Sequence, residues 1–257
     1  MAVTPKITAV SYLNTIPFIY GIRHEGNFSA DLLLCPPAQC AENYMAGKAD
    51  IALLPAAVVP QLRSTEIITE YCIGAIQSVR TVELMSNSPV SEIKRIFLDA
   101  HSRTSVQLTG YLAKNLWKIS PEWYSLDSYD ALAQNAREGD AFLLIGDKVF
   151  DHEGEFRYSY DLAEAWQGMT KLPFCFAVWV ARKGTPYAVT DALEHALTFG
   201  VEHIYEAIVE NGSDKKPYDA YGYLTRNIDY LFDEQKHKAL QKFWNSGIKV
   251  EPRANPG

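Results

Sequence analysis

The chain has 257 residues, 47% of them hydrophobic and 21% charged, and its 24 Lys and Arg against 31 Asp and Glu give a formal net charge of −7. This is the composition of a globular protein, and the acidic balance without any Lys/Arg run argues against nucleic acid or an anionic membrane as a partner. No stretch approaches the ~18 consecutive apolar residues that a membrane span needs. The N-terminus has no secretory-signal pattern, so we expect a cytoplasmic protein.

The first part of the chain is predicted to be an α/β unit. Lys6–Val10 is a short β-rich run, and the polar loop Ser11–Thr15 follows it directly. Pro17 then stands where the first turn of a helix tolerates proline. A helix is predicted over Ala38–Ala46, and the apolar run Ile51–Leu54 is typical of a strand buried in a parallel sheet.

The same order of elements occurs a second time. Lys94–Asp99 is predicted to be a strand, His101–Ser105 a polar loop and Val106–Leu116 a helix. Ser128–Arg137 is a second predicted helix, and Ala141–Ile145 is another strand of the buried type.

The spacing of the two units agrees. Asn14 to Asp50 and Thr104 to Asp140 both span 36 residues. Because the pattern occurs only twice, it indicates two α/β lobes of similar plan and not a solenoid. We place lobe 1 at residues 1–86 plus 180–257 and lobe 2 at residues 87–179.

Two further apolar runs lie near these boundaries. Ser78–Ser86 and Phe174–Ala181 are predicted to be strands that cross between the lobes. A long amphipathic helix is predicted from Thr190 to Glu210, and a last helix capped by Asp233 should pack back on lobe 1. This arrangement leaves a cleft between the lobes, where small ligands commonly bind.

The two polar loops are the main functional signal. Each places hydroxyl or amide groups at the end of a strand, where a helix begins and its backbone N–H groups attract anions. Facing each other across the cleft, the loops would hold a molecule with two carboxylates. The alternative is that their Ser, Thr and Asn residues only cap the helices.

Other candidates flank the predicted cleft. Arg80, at the start of a crossing strand, is suited to bidentate pairing with a carboxylate, although a surface ion pair is an equal alternative. Gly146 and Asp147 follow a buried strand, and open α/β sheets bind ligands at the carboxyl ends of their strands. Asp147 is alternatively a cap for the segment that follows it.

Several common catalytic motifs are absent from the sequence. It contains no phosphate-binding P-loop, no G-x-G-x-x-G and no G-x-S-x-G. The four cysteines, at positions 35, 40, 72 and 175, form no C-x-x-C pair, so no zinc site is predicted. We predict neither a metal nor a cofactor.

At the polar loops the sequence resembles the chorismate dehydratase family of the futalosine route to menaquinone. The resemblance covers residues 11 to about 182, and the block Ser11–Pro17 together with Leu172–Trp179 is its specific part. Weaker matches are Gly47–Leu53, Ser102–Val106, Leu144–Asp147 and Asp161–Trp166. The resemblance implies an α/β, two-lobed, type II periplasmic-binding-protein-like fold with an interlobe cleft.

The resemblance also implies a reaction, the conversion of the dianion chorismate to 3-[(1-carboxyvinyl)oxy]benzoate and water without a cofactor. It implies that the enolpyruvyl carboxylate of the substrate takes the proton, that Asn14 orients the reacting part of the substrate, and that Thr81 supplies a hydroxyl where some relatives carry Ser. Ser102, Thr104 and Ser105 would bind a carboxylate. Asp147 is the alternative general base.

These considerations give one set of predicted site residues: Asn14 and Thr81 as catalytic, and Ser11, Thr15, Arg80, Ser102, Thr104, Ser105, Gly146 and Asp147 as substrate-binding. Two other functions remain open. One is a binding module that holds a small anion without reaction, and the other is the sister 1,4-dihydroxy-6-naphthoate synthase, which has the same fold.

Overall fold

The computed structural model describes residues 4–99, 102–126, 129 and 136–254, which form two α/β lobes around two sheets. The strands are β1 Lys6–Val10, β2 Asp31–Cys35, β3 Ile51–Pro55, β4 Thr65–Ala75, β5 Val82–Ser86, β6 Arg95–Asp99, β7 Glu122–Leu126, β8 Asp140–Ile145, β9 Tyr158–Asp161, β10 Phe174–Arg182 and β11 Asp229–Leu231. The helices of eight or more residues are α1 Ile16–His24, α2 Pro37–Met45, α3 Thr104–Leu112, α4 Leu162–Thr170, α5 Tyr187–Glu202, α6 Ile204–Asn211 and α7 Glu234–Trp244.

The two sheets share one plan. The first has the order β11-β4-β10-β3-β1-β2 and the second the order β7-β6-β8-β5-β9. In the first, β1 lies parallel to β2 and β3, and β10 pairs antiparallel with β3. In the second, β6 lies parallel to β7 and β8, and β5 pairs antiparallel with β8. The repeated order of elements in the sequence therefore reflects two similarly built lobes.

The two strands predicted to cross between the lobes each belong to a single sheet. Strand β5, predicted to end lobe 1, pairs along its whole length with β8 of the second sheet. Strand β10 belongs along its whole length to the first sheet. By sheet membership we propose that the chain crosses within residues 76–81 and 171–173, before the predicted boundaries at 86 and 179.

The C-terminal tail forms a further link between the lobes. Helix α7 packs on β10, as predicted for lobe 1. Beyond it, the Arg253 N–H donates to the Trp123 carbonyl (2.9 Å) and the Arg253 carbonyl accepts from Ser125 (2.8 Å) at the edge strand of the second sheet. The tail therefore contacts both lobes and not lobe 1 alone.

Most predicted elements are confirmed within one to three residues, with one clear exception. The single helix predicted from Thr190 to Glu210 is wrong, because the chain forms α5 and α6 with a break at His203 (φ −117°, ψ 39°). The His203 Nδ1–H donates to the Phe199 carbonyl (2.7 Å) at this break. The predicted helix Ser128–Arg137 and residue His101 of the second loop lie largely or wholly outside the described residues.

The packing of α1 on α5 depends on two glycines. A Cβ added at Gly21 would lie 1.8 Å from the Ala196 carbonyl oxygen, and one added at Gly200 would lie 1.9 Å from the Pro17 carbonyl oxygen. The helix backbones therefore touch where only glycine fits. This contact fixes α1, and with it the loop that precedes α1. No helix in the described parts of the chain is long and apolar enough to cross a membrane.

We expect Gly200→Ala to destabilise the protein by about 3 kcal/mol, because the new methyl group overlaps backbone that cannot move without separating the helices. Gly168→Ala is the matched control, since Gly168 is an exposed residue of α4 with open space around its Cα. There the substitution should stabilise the helix by about 0.5–1 kcal/mol. Urea unfolding of both variants measures the difference, and equal stabilities would contradict the proposed close contact.

Candidate active site

A cavity lies between the lobes and contains seven of the ten predicted site residues. These are Asn14, Thr15, Thr81, Ser102, Thr104, Ser105 and Gly146. Asn14 comes from the first loop and Thr104 from the second, so the two predicted loops share one space. The remaining described lining residues are mostly apolar: Val10, Tyr12, Pro37, Pro55, Ile73, Val79, Val82, Arg103, Ile145, Phe176 and Ala177.

Asn14 lies in a short 3₁₀ turn, Leu13–Thr15, that leads directly into α1. The hydroxyl of the fully buried Thr15 donates to Asn14 Oδ1 (3.1 Å), and the Tyr230 hydroxyl donates to the Asn14 main-chain carbonyl (3.0 Å). These bonds hold the Asn14 side chain and main chain in place. The amide N–H groups of Asn14 are the part of the side chain that can donate to an acceptor such as a carboxylate.

The second loop combines capping with contacts across the cleft. Ser102 Oγ accepts from the Ser105 N–H (3.2 Å), which is the capping role considered as an alternative for this loop. Thr104 Oγ1 donates to the Phe176 carbonyl (3.0 Å) and accepts from the Ala57 N–H (3.2 Å), both in residues of the first lobe. The Thr104 hydroxyl thus holds the start of α3 against the opposite lobe.

Thr81 lies in the crossing segment at the wall of the cavity and is almost fully buried. Its Oγ1 is 2.8 Å from the hydroxyl of Tyr223, a residue that the sequence analysis did not predict. Tyr223 comes from the C-terminal part of the chain, far from any of the quoted motifs. Only the tertiary structure brings it to the site.

Ser11 and Arg80 lie outside the cavity. Ser11 is exposed, and its N–H donates to the Cys35 carbonyl (3.3 Å). The guanidinium of Arg80 forms a bidentate pair with Glu153 (Nε–Oε1 3.0 Å, Nη2–Oε2 3.2 Å), as in the surface ion pair considered as the alternative. Arg80 has a positive φ of 64°, and its N–H donates to Asp161 (2.7 Å), which directs the side chain away from the cleft.

Asp147 also lies outside the cavity, where it joins the lobes. Both of its carboxylate oxygens are 3.0 Å from the Leu13 nitrogen, so it accepts from the N–H that begins the turn carrying Asn14. It therefore caps a turn of the opposite lobe and not the segment that follows it. Burial raises the pKa of Asp147, and the bond from Leu13 partly opposes that shift.

Gly146 allows a close approach of the lobes. Its φ is 73°, and a Cβ at this position would lie 3.2 Å from three atoms of the Tyr12 ring. A side chain is thus disfavoured both by the backbone conformation and by the ring. Burial, followed by the charges of Asp99 and Asp147, raises the pKa of Tyr12, so its hydroxyl stays protonated.

The polar groups of the cavity are mainly neutral hydrogen-bond donors. Among the described lining residues, Arg103 is the one charged side chain, and none is Asp, Glu or His. The described residues also contain no group of three or more His, Cys, Asp or Glu side chains placed to hold a metal ion. Such a lining favours an anionic guest and offers it no side-chain general base.

Comparisons with known proteins agree on fold and family. A sequence model of the family described as menaquinone biosynthesis matches residues 5–248. A chorismate dehydratase of Thermus thermophilus is 24% identical over 215 residues, which cover 76% of this chain and 77% of that protein.

Two solved structures are similar over nearly the whole chain. The protein AF1704 of Archaeoglobus fulgidus has a TM-score of 0.73 and 14% identity, with 94% of this chain and 96% of that chain covered. The Candida albicans protein CA3427, whose structure is described as the generic periplasmic binding protein fold, has a TM-score of 0.63 and 14% identity, with 97% and 92% covered. The predicted two-lobed, periplasmic-binding-protein-like fold is confirmed.

We expect Asp147→Asn to keep most of the native stability and Asp147→Ala to lose about 1–2 kcal/mol, because only the amide retains an oxygen that accepts from Leu13. The raised pKa adds a pH dependence. A carboxyl whose pKa is higher in the folded state loses stability as the pH rises from its unfolded pKa through its folded pKa. The stability of Asp147→Asn should therefore increase relative to that of the wild type as the pH rises from about 3, below the ordinary Asp pKa, to about 7. Thermal unfolding at both pH values checks this, and equal losses in the Asn and Ala variants would contradict the capping role.

Proposed function

The chain belongs to the menaquinone biosynthesis family, and we propose that it is a chorismate dehydratase, a lyase that removes water from chorismate. The product is 3-[(1-carboxyvinyl)oxy]benzoate. The similarity to the Thermus thermophilus enzyme supports this substrate, and the donor-lined cavity between the lobes suits a small dianion. The cytoplasmic location predicted from the sequence is part of this proposal.

The reaction needs two bonds to break in the ring of chorismate. The C3–H bond gives its proton to a base and leaves its electron pair to form a ring double bond, while the C4–O bond breaks and the hydroxyl departs as water after taking up a proton. The ring becomes aromatic, so the step is strongly downhill. The protein has to hold the substrate in the reactive geometry and stabilise the charge that develops.

The cavity residues supply that binding and stabilisation. We assign the Asn14 amide as the donor that orients the enolpyruvyl carboxylate and the Thr81 hydroxyl as a donor near the departing C4 hydroxyl. The start of α3, where Ser102, Thr104 and Ser105 lie, would bind the second carboxylate through main-chain N–H groups, because the first N–H groups of a helix have no intrahelical acceptor. The Thr104 hydroxyl itself donates to the Phe176 carbonyl. Arg103 adds a positive charge at the same end of the cavity.

One observation supports our proposal for the group that removes the C3 proton. The described residues that line the cavity include no carboxylate or imidazole, and Asp147, the alternative base, accepts from the Leu13 N–H outside it. We therefore propose that the enolpyruvyl carboxylate of chorismate takes the C3 proton itself. A neutral, donor-rich cavity suits this role, since a carboxylate side chain beside the substrate would repel its two charges.

The first test is to mix the purified protein with chorismate and follow the loss of the diene absorption, with the product identified by mass. We expect catalytic turnover to 3-[(1-carboxyvinyl)oxy]benzoate. Binding of one chorismate per chain without product would favour the non-catalytic anion-binding protein. Activity only with the cyclic futalosine compound would favour the 1,4-dihydroxy-6-naphthoate synthase.

We expect Asn14→Ala to lower kcat by about 100-fold, the usual effect of removing a hydrogen bond made in the transition state. Asn87→Ala is the matched control, because Asn87 is exposed and lies outside the cavity. Steady-state kinetics on variants with native circular dichroism measures the effect. A folded Asn14→Ala protein with near-normal kcat would contradict the assignment.

The same assay tests the origin of the base. Substrate-assisted proton transfer predicts that Asp147→Asn keeps kcat within about tenfold of the wild type, whereas loss of a general base typically costs about 10²- to 10⁴-fold. His101→Gln belongs in the same series, because this histidine is the first residue of the second loop in the sequence. A loss of kcat of at least 100-fold in either variant would indicate that the substituted side chain, and not the substrate carboxylate, is the base.

A further inference from the structure

Tyr223 contacts the site from behind the cavity wall. Its side chain is fully buried, and its hydroxyl is 2.8 Å from Thr81 Oγ1. The ring is held on its other side by Phe150, at 5.3 Å between centroids in an edge-to-face contact, and Phe150 stacks on Tyr218 at 4.3 Å. Because Phe150 lies in the turn that begins with Asp147, both lobes fix the position of this tyrosine.

Neighbouring side chains hold both Asn14 and Thr81 in the cavity wall. The Thr15 hydroxyl donates to Asn14 Oδ1 at 3.1 Å, and the Tyr223 hydroxyl lies 2.8 Å from Thr81 Oγ1. The Thr81 and Asn14 side chains both act to lower the pKa of Tyr223, against the larger effect of its burial.

The bond to Tyr223 is the short contact of the Thr81 hydroxyl among the described residues. The two hydroxyl oxygens are 2.8 Å apart. The other protein partner of Thr81 Oγ1 is the Val79 carbonyl at 3.5 Å, which is long for an O–H donor. The contact with Tyr223 therefore has the larger effect on how the Thr81 hydroxyl is oriented.

We propose that Tyr223 is a positioning residue for the dehydration: its hydroxyl, 2.8 Å from Thr81 Oγ1, holds the Thr81 hydroxyl in the orientation that hydrogen-bonds the substrate. This inference rests on the proposed function. Thr81 would then hydrogen-bond the oxygen at C4 of chorismate as the C–O bond lengthens. Both cavity residues are thus held by a neighbouring hydroxyl, Asn14 by Thr15 and Thr81 by Tyr223.

Burial keeps the Tyr223 hydroxyl neutral. It raises the pKa of Tyr223 well above that of a free tyrosine, and the nearby Asp147 carboxylate raises it further. The hydroxyl is therefore protonated at neutral pH. It holds Thr81 as a neutral group and does not act as a tyrosinate base.

The test compares Tyr223→Phe with Tyr71→Phe. Tyr71 is the matched control because its hydroxyl forms a similar bond, to Thr198 Oγ1 at 3.0 Å, in the first lobe away from the cavity. We expect Tyr223→Phe to lower kcat about 10- to 100-fold with little change in KM, since the bond it supports strengthens in the transition state. Tyr71→Phe should change stability alone. Equal kcat in both variants would overturn the proposal.

A double-mutant cycle shows whether Tyr223 acts through Thr81. In a Thr81→Val background the hydroxyl that Tyr223 orients is gone, so Tyr223→Phe should cause no further loss of kcat. Additive losses would overturn the proposed route. If Tyr223→Phe does not fold, Thr81→Ser against Thr81→Val measures the same bond, with Ser expected to keep most of kcat and Val to lose it.

The outcomes separate this inference from the proposed function. If the wild type gives no product from chorismate, both are overturned. If the wild type is active and Tyr223→Phe keeps its kcat, the function stands and the role of Tyr223 does not.

Discussion

The hydrogen bonds that cross the cleft are the constraint on which the site depends. Thr104 of the second lobe bonds to the main chain at Ala57 and Phe176, and Asp147 bonds to the N–H of Leu13. Each bond uses a main-chain group that would otherwise lose its water partner when the lobes close. Without them the two polar loops would face separate surfaces. With them, the loops line one cavity whose polar groups are largely donors.

This arrangement accounts for the chemistry that we propose. A buried cavity with few charges strengthens the hydrogen bonds made to a dianion and keeps water from the reacting ring. Hydroxyl and amide donors of this kind do not remove a proton from carbon, and we propose that the enolpyruvyl carboxylate, one of the two carboxylates of chorismate, does so. The periplasmic-binding-protein-like fold, which elsewhere holds small ligands, suits a reaction whose main requirement is orientation.

The sequence predicted the two-lobed fold well and the side-chain partners poorly. Strand, loop and helix patterns depend on local sequence, so the two polar loops and the order of elements in each lobe could be predicted from the sequence. The partners of Arg80 and Asp147 are Glu153 and the Leu13 N–H, which lie far from them in the sequence. Local spacing does not predict such contacts. Tyr223 was missed for the same reason, since a tyrosine far along the chain carries no local sign of its contact with Thr81. The break at His203 was missed because the apolar stripe continues across it.

A crystal structure of the protein with 3-[(1-carboxyvinyl)oxy]benzoate tests the central claim most directly. Our account predicts one carboxylate within about 3 Å of the Asn14 amide nitrogen and the other at the start of α3, with the bonds of Thr104 and Asp147 across the cleft retained. A product molecule bound by one lobe alone, or outside the cavity that Asn14 and Thr104 share, would contradict it.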